Sequence, residues 1–91
     1  MVLCEAIKDR EIVTFFYDGS IRTVEPHLVG YGTTKSMTLS AWQLAGETGT
    51  GWRRFLVSNM SAPTKTGTHF QHARPHYNPN DATMARILCA L

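Results

Sequence analysis

The chain has 91 residues and a mass of 10.2 kDa, which leaves room for one ordinary domain and none for a second catalytic lobe. Hydrophobic residues make up 43% and charged residues 18%, which excludes the composition of a disordered chain and implies a packed core. The formal charge of +2 is unevenly spread: residues 1–25 hold three basic and five acidic side chains, while residues 26–80 hold five basic ones against Glu47 alone, with all four histidines. A basic middle of this kind suits an anionic partner, or is simply a solvated face, because attraction depends on clustering in space. No run approaches the roughly 18 apolar residues of a membrane helix, and Met1-Val2-Leu3-Cys4-Glu5 lacks the basic-then-apolar order of a signal peptide. A cytoplasmic protein with no membrane partner is expected. Cys4 and Cys89 match no metal or redox spacing and are expected reduced and partly buried.

In chain order, Leu3, Ala6 and Ile7 recur at helical spacing within Val2–Arg10, so the first element is a short amphipathic helix. Ile12 to Tyr17 is β-branched and aromatic, Asp18-Gly19 supplies the positive φ of a type I′ turn, and Ile21 to Glu25 resumes the strand. The two-residue loop fixes the register: Tyr17 opposite Ser20, Phe15 opposite Arg22, Val13 opposite Val24. Pro26 ends regular pairing or marks an edge. Short strands are expected over Leu28–Tyr31, Met37–Leu44 and Trp52–Val57, the last two joined by the Gly-rich segment Ala45 to Gly51. Beyond Pro63 the chain reads as polar and irregular, and His69 to Pro79 has no period. Asn80 or Asp81 then caps an expected C-terminal helix, Ala82–Leu91, whose apolar stripe is Met84, Ile87, Leu88 and Leu91. The fold class is a mainly β domain with flanking helices.

The order Leu3-Cys4-Glu5-Ala6-Ile7, Val13 to Tyr17, Arg22-Thr23-Val24-Glu25-Pro26-His27-Leu28, Leu39-Ser40-Ala41-Trp42 and Arg53-Arg54-Phe55 resembles the WYL domain of bacterial regulators. The resemblance runs from about Leu3 to Pro79, through Phe70 and Tyr77-Asn78-Pro79. It implies an Sm-like small antiparallel β-barrel behind an N-terminal helix, used in transcription regulation as a ligand-sensing or nucleic-acid-binding module. Two departures stand out: Met37-Thr38-Leu39 replaces the naming Trp-Tyr-Leu tripeptide, and Asn59 stands where members usually carry arginine. With no room for a helix-turn-helix domain, a stand-alone, diverged member is expected.

Arg22 and Arg53 share strand parity with core positions, so each should project from the barrel mouth with its guanidinium offered to carboxylate or phosphate. The alternative is a structural pair with Glu25 or Glu47, or stacking on an aromatic ring. Trp42 alternates with Ser40 and Thr38, which sets a flat ring beside two hydroxyls, fit for stacking a planar ligand or for burial under the terminal helix. Arg54 and His27 complete the candidate binding set of Arg22, His27, Thr38, Ser40, Trp42, Arg53 and Arg54. His69, His72 and His76 lie on a loop without a nearby carboxylate or thiolate, so no metal site is expected. No nucleophile stands in a triad or elbow motif, so neither catalysis nor a cofactor is expected. The expected function is a regulatory module that binds a nucleotide or single-stranded nucleic acid. The alternative is self-association or docking to a separate regulator, through open barrel edges or the apolar terminal helix.

Overall fold

The computed structural model describes all 91 residues: a helix α1 (Val2–Asp9) and six strands, β1 (Glu11–Tyr17), β2 (Ser20–Gly32), β3 (Met37–Ala45), β4 (Gly51–Leu56), β5 (Ser61–His69) and β6 (Met84–Ala90). A three-residue 3₁₀ turn, Val57–Asn59, joins β4 to β5. All pairings are antiparallel, in the order β4-β3-β2-β1-β5, with β6 added to β2. The sheet does not close.

The β1–β2 hairpin has the register its sequence dictates, Val13 opposite Val24, Phe15 opposite Arg22 and Tyr17 opposite Ser20. Asp18 and Gly19 both take positive φ, as a type I′ turn requires. Strand β2 runs straight through Pro26 instead of ending there. On one edge it pairs with β1 as far as Val24 and with β6 from Leu28 onward, so Pro26 falls where the neighbour changes and its missing N–H interrupts no ladder on that side. On the other edge a register shift between Pro26 and Leu28 bends the strand against β3.

Two expectations from the second half of the chain are corrected. Residues 61–69 form a strand despite Pro63 and Gly67, and side chains bridge the irregularity where the pairing shifts between Glu11 and Val13: Thr66 Oγ1 donates to the Ile12 carbonyl at 2.7 Å and Gly67 N–H donates to Glu11 Oε2 at 2.7 Å. The C-terminal segment is strand β6 and not a helix. The Leu28–Gly32 edge of β2 offers unpaired backbone groups that an isolated apolar stripe does not, and Asp81 caps a turn at the Thr83 N–H (2.9 Å) instead of a helix. Gly30 permits this docking, since a Cβ there would lie 2.5 Å from the Arg86 carbonyl oxygen.

The cysteine expectation is also corrected: Cys4 of α1 and Cys89 of β6 form a disulfide, with Cα atoms 5.7 Å apart. Their positions at opposite ends of the sequence gave no spacing signal, yet the sheet brings the ends together. Cross-linking over 85 residues restricts the unfolded chain and contributes roughly 2–5 kcal/mol. Beneath the bridge, Leu3, Ala6 and Ile7 of α1 pack on Val13, Phe15, Val24, Val29, Leu39, Ala41 and Phe55. The rings of Phe15 and Phe55 meet edge to face at 4.9 Å, and those of Tyr17 and Phe55 at 5.0 Å. No helix is long and apolar enough to cross a membrane.

Candidate anion-binding site

Alternation along β2, β3 and β4 sends Arg22, Gln43 and Arg53 to the same face, at the end of the core where the Gly-rich segment crosses from β3 to β4. Arg22 is not held out in solvent as expected: it is 4% exposed, and its guanidinium lies 5.7 Å from the Tyr17 ring centroid and 6.0 Å from that of Phe55. Its partner is neither Glu25 nor Glu47. Arg22 Nη1 donates to Gln43 Oε1 and to Thr48 Oγ1, each at 3.2 Å, and its Nε–H is buried with no partner.

Arg53 arrives at the same hydroxyl, Nε donating to Thr48 Oγ1 at 3.0 Å, Nη2 to the Thr48 carbonyl at 2.6 Å and Nη1 to the Trp52 carbonyl at 2.7 Å. Gln43 Nε2 adds bonds to Thr48 Oγ1 at 3.0 Å and to the Gly49 carbonyl at 2.6 Å. The close approach requires glycine at position 46, where φ is +152° and a Cβ would lie 2.9 Å from Arg22 Cδ. The two ion pairs of the molecule are Arg54–Asp81 and Arg74–Glu25, so neither Arg22 nor Arg53 is ion-paired. A buried cation is costly unless an anion compensates it.

The opposite face of the β2–β3–β4 sheet carries Thr38, Ser40 and Trp42, facing Leu56, Arg54 and Trp52 across the β3–β4 pairing. Trp42 is covered not by a terminal helix but by the 70–79 loop: the Arg74 guanidinium lies 5.2 Å from its ring centroid, and Trp52 meets it edge to face at 5.7 Å. Glu25, 4% exposed, grips Arg74 with both oxygens at 2.7 and 3.0 Å. His27 is fully buried beneath that loop and does not reach a ligand surface. Its Nε2 accepts from the Arg74 backbone N–H at 3.1 Å, which places the proton on Nδ1, donating to the Glu25 carbonyl at 2.8 Å. Burial lowers its pKa below the ordinary histidine value, against the raising influence of the Glu25 carbonyl and charge. Burial likewise raises the Tyr77 phenol, whose hydroxyl spans the His27 and Leu91 carbonyls.

Ser40 and Arg54 line a cleft of about 510 Å³ with Trp52, Arg53, His76, Tyr77, Asn78 and Asp81. Here Arg54 pairs with Asp81 and donates to Thr83 Oγ1 at 2.6 Å, and the Thr83 hydroxyl, then the Thr83 backbone N–H and the Arg54 charge, hold the Asp81 carboxyl below the usual range against its partial burial. Thr38, partly buried, donates to the Ser36 carbonyl at 3.1 Å and takes no part in either cluster. No group of three His, Cys, Asp or Glu side chains converges as metal ligands would.

The structure thus brings Arg22 and Arg53 together and puts Trp42 on the other face, apart from both. Sequence reasoning missed Gln43, whose parity with Leu39 and Ala41 marked an amide aimed inward, and Thr48, which carries no signal outside the fold. Comparisons with protein-family models, with curated proteins and with solved structures found no match.

Proposed function

We propose that the chain is a non-catalytic regulatory binding module that recognises a phosphate-bearing ligand, a nucleotide or single-stranded nucleic acid, through Arg22 and Arg53. The observation that carries this reading is the convergence of the two guanidiniums on one oxygen, with neither of them ion-paired. Guanidinium pairs match phosphate oxygens in geometry and charge, and a bound phosphate would supply the missing compensation. Around the β4 edge, on the opposite face, Ser40, Trp52 and Arg54 line a cleft that Arg53 also borders, where a longer ligand finds contacts for a sugar or base.

The WYL-like, Sm-like barrel reading is supported by the strand order and by the three-residue turn that links the two outermost strands, β4 and β5. Tyr17 of β1 adds a bridge toward β4 by accepting the Leu56 N–H at 3.1 Å. The Cys4–Cys89 bridge favours an oxidising setting over the reducing cytoplasm first expected. A second reading, self-association, draws on the exposed Phe16–Ile21 cross-strand pair, 45% and 59% accessible, beside the open β5 edge. The terminal-helix version of that reading is gone with the helix.

Titration with short single-stranded oligonucleotides at low and moderate salt tests the first reading. Binding at low salt should weaken steeply as salt rises, because phosphate contacts release counterions. Absence of binding at low salt overturns the nucleic-acid form. Light scattering at high concentration addresses the second, which a strict monomer excludes for self-assembly.

A further inference from the structure

Building on the arginine-pair reading, we infer that the segment Gly46 to Gly51 is an internal stand-in for a terminal phosphoryl group, occupying its seats until a ligand displaces it. Three oxygens of this segment, Thr48 Oγ1, the Thr48 carbonyl and the Gly49 carbonyl, are held by three donor side chains, Arg22, Gln43 and Arg53. A phosphate monoester presents the same number of acceptor oxygens on one atom, with the negative charge that the hydroxyl and the two amide carbonyls lack.

The stand-in leaves the site imperfectly satisfied. Three donors crowd the single Thr48 hydroxyl, while the Nε–H of Arg22, a side chain 96% removed from solvent, points to no acceptor at all. Buried donors are almost always paired, so an orphan on a buried cation marks a site built for more acceptor charge than the loop provides. The covering segment is equally suited to leave. Residues 47–50 are exposed, and Gly46, Gly49 and Gly51 all take positive φ, so alternative backbone conformations there carry little steric penalty. Apart from the bonds to the donor side chains and the pairing of Gly51 with Gln43 at the start of β4, it is tied by a Gly49 N–H bond to the Gly46 carbonyl (3.1 Å) and a Thr50 hydroxyl bond to the Leu44 carbonyl (3.3 Å). The ligand class is therefore a compact terminal phosphate, whether free, on a nucleoside monophosphate, or at the 5′ end of an oligonucleotide.

Calorimetric titration of the full chain at low salt, with inorganic phosphate, adenosine 5′-monophosphate, and a dinucleotide with and without a 5′-phosphate, separates the sources. Thr48→Ala removes the internal hydroxyl and should tighten phosphate binding roughly three- to tenfold, whereas Arg53→Gln should abolish it. Thr48→Asp tethers a carboxylate between the arginines, and should block every probe while raising the denaturation midpoint at low salt. Equal affinity in wild type and Thr48→Ala overturns the stand-in and leaves the arginine pair as a permanently open site. No binding of any probe by either protein overturns the arginine-pair reading itself. A lowered midpoint for Thr48→Asp counts against the stand-in independently of any ligand.

Discussion

Two polar clusters, each anchored on buried side chains, lie on opposite faces of the β2–β3 pair, and they are resolved in opposite ways. Around His27, every demand is met: Glu25 takes Arg74 with both oxygens, His27 uses both ring nitrogens, and Trp52 Nε1 donates to the Pro75 carbonyl at 2.9 Å. Around Arg22, two cations meet neutral oxygens only, and one donor has none. The first pattern belongs to a clamp that fixes the 70–79 loop on the sheet. The second fits the anion-binding site proposed above, where a bound anion would supply the compensation that Glu25 gives Arg74 in the first.

Breaking the clamp should have the largest effect. Glu25→Gln removes the charge that holds Arg74 and should cost about 2–3 kcal/mol, at the low end for a buried pair because the Arg74 side chain is 38% exposed. A urea midpoint measures the loss, and a red shift of Trp42 and Trp52 emission reports release of the loop. Unchanged emission and midpoint would remove the distinction between the clusters.

Acidification applies a milder stress to the same side. Because the folded-state pKa of His27 lies below its unfolded value near 6.5, the unfolded chain takes up the proton first. Stability from the neutral ring is fully present above pH 6.5 and falls as pH drops toward the folded-state pKa, with a slope of at most about 1.4 kcal/mol per pH unit. His27→Gln should flatten this part of the profile measured by chemical denaturation. An unchanged slope would show that the ring does not control it.

The smallest stability change is expected on the other face. Arg22→Met keeps an extended apolar stem against Tyr17 and Phe55 while removing the uncompensated charge, so stability should stay within about 1 kcal/mol or rise. Phosphate titration of the same variant should show lost binding. Destabilisation comparable to that of Glu25→Gln would make Arg22 a structural member like Arg74.

Local chemistry determined the first half of the protein. The spacing of Leu3, Ala6 and Ile7 sets a helix face, Asp18-Gly19 sets a turn, and the turn sets the pairing of Phe15 with Arg22; each depends on residues a few positions apart. The same alternation put Arg53 on the face of Phe55, and set Trp42 apart from Leu39 and Ala41. What lay beyond that reach was decided by the tertiary structure. Residues 84–90 carry a helical stripe, yet they lie as a strand because β2 offers an unpaired edge that no local pattern announces. Cys4 meets Cys89, Glu25 meets Arg74, and Thr48 meets both arginines only after the sheet has folded. Periodicity reports which way a side chain faces; what it meets there depends on contacts between residues far apart in the chain, and those form in three dimensions.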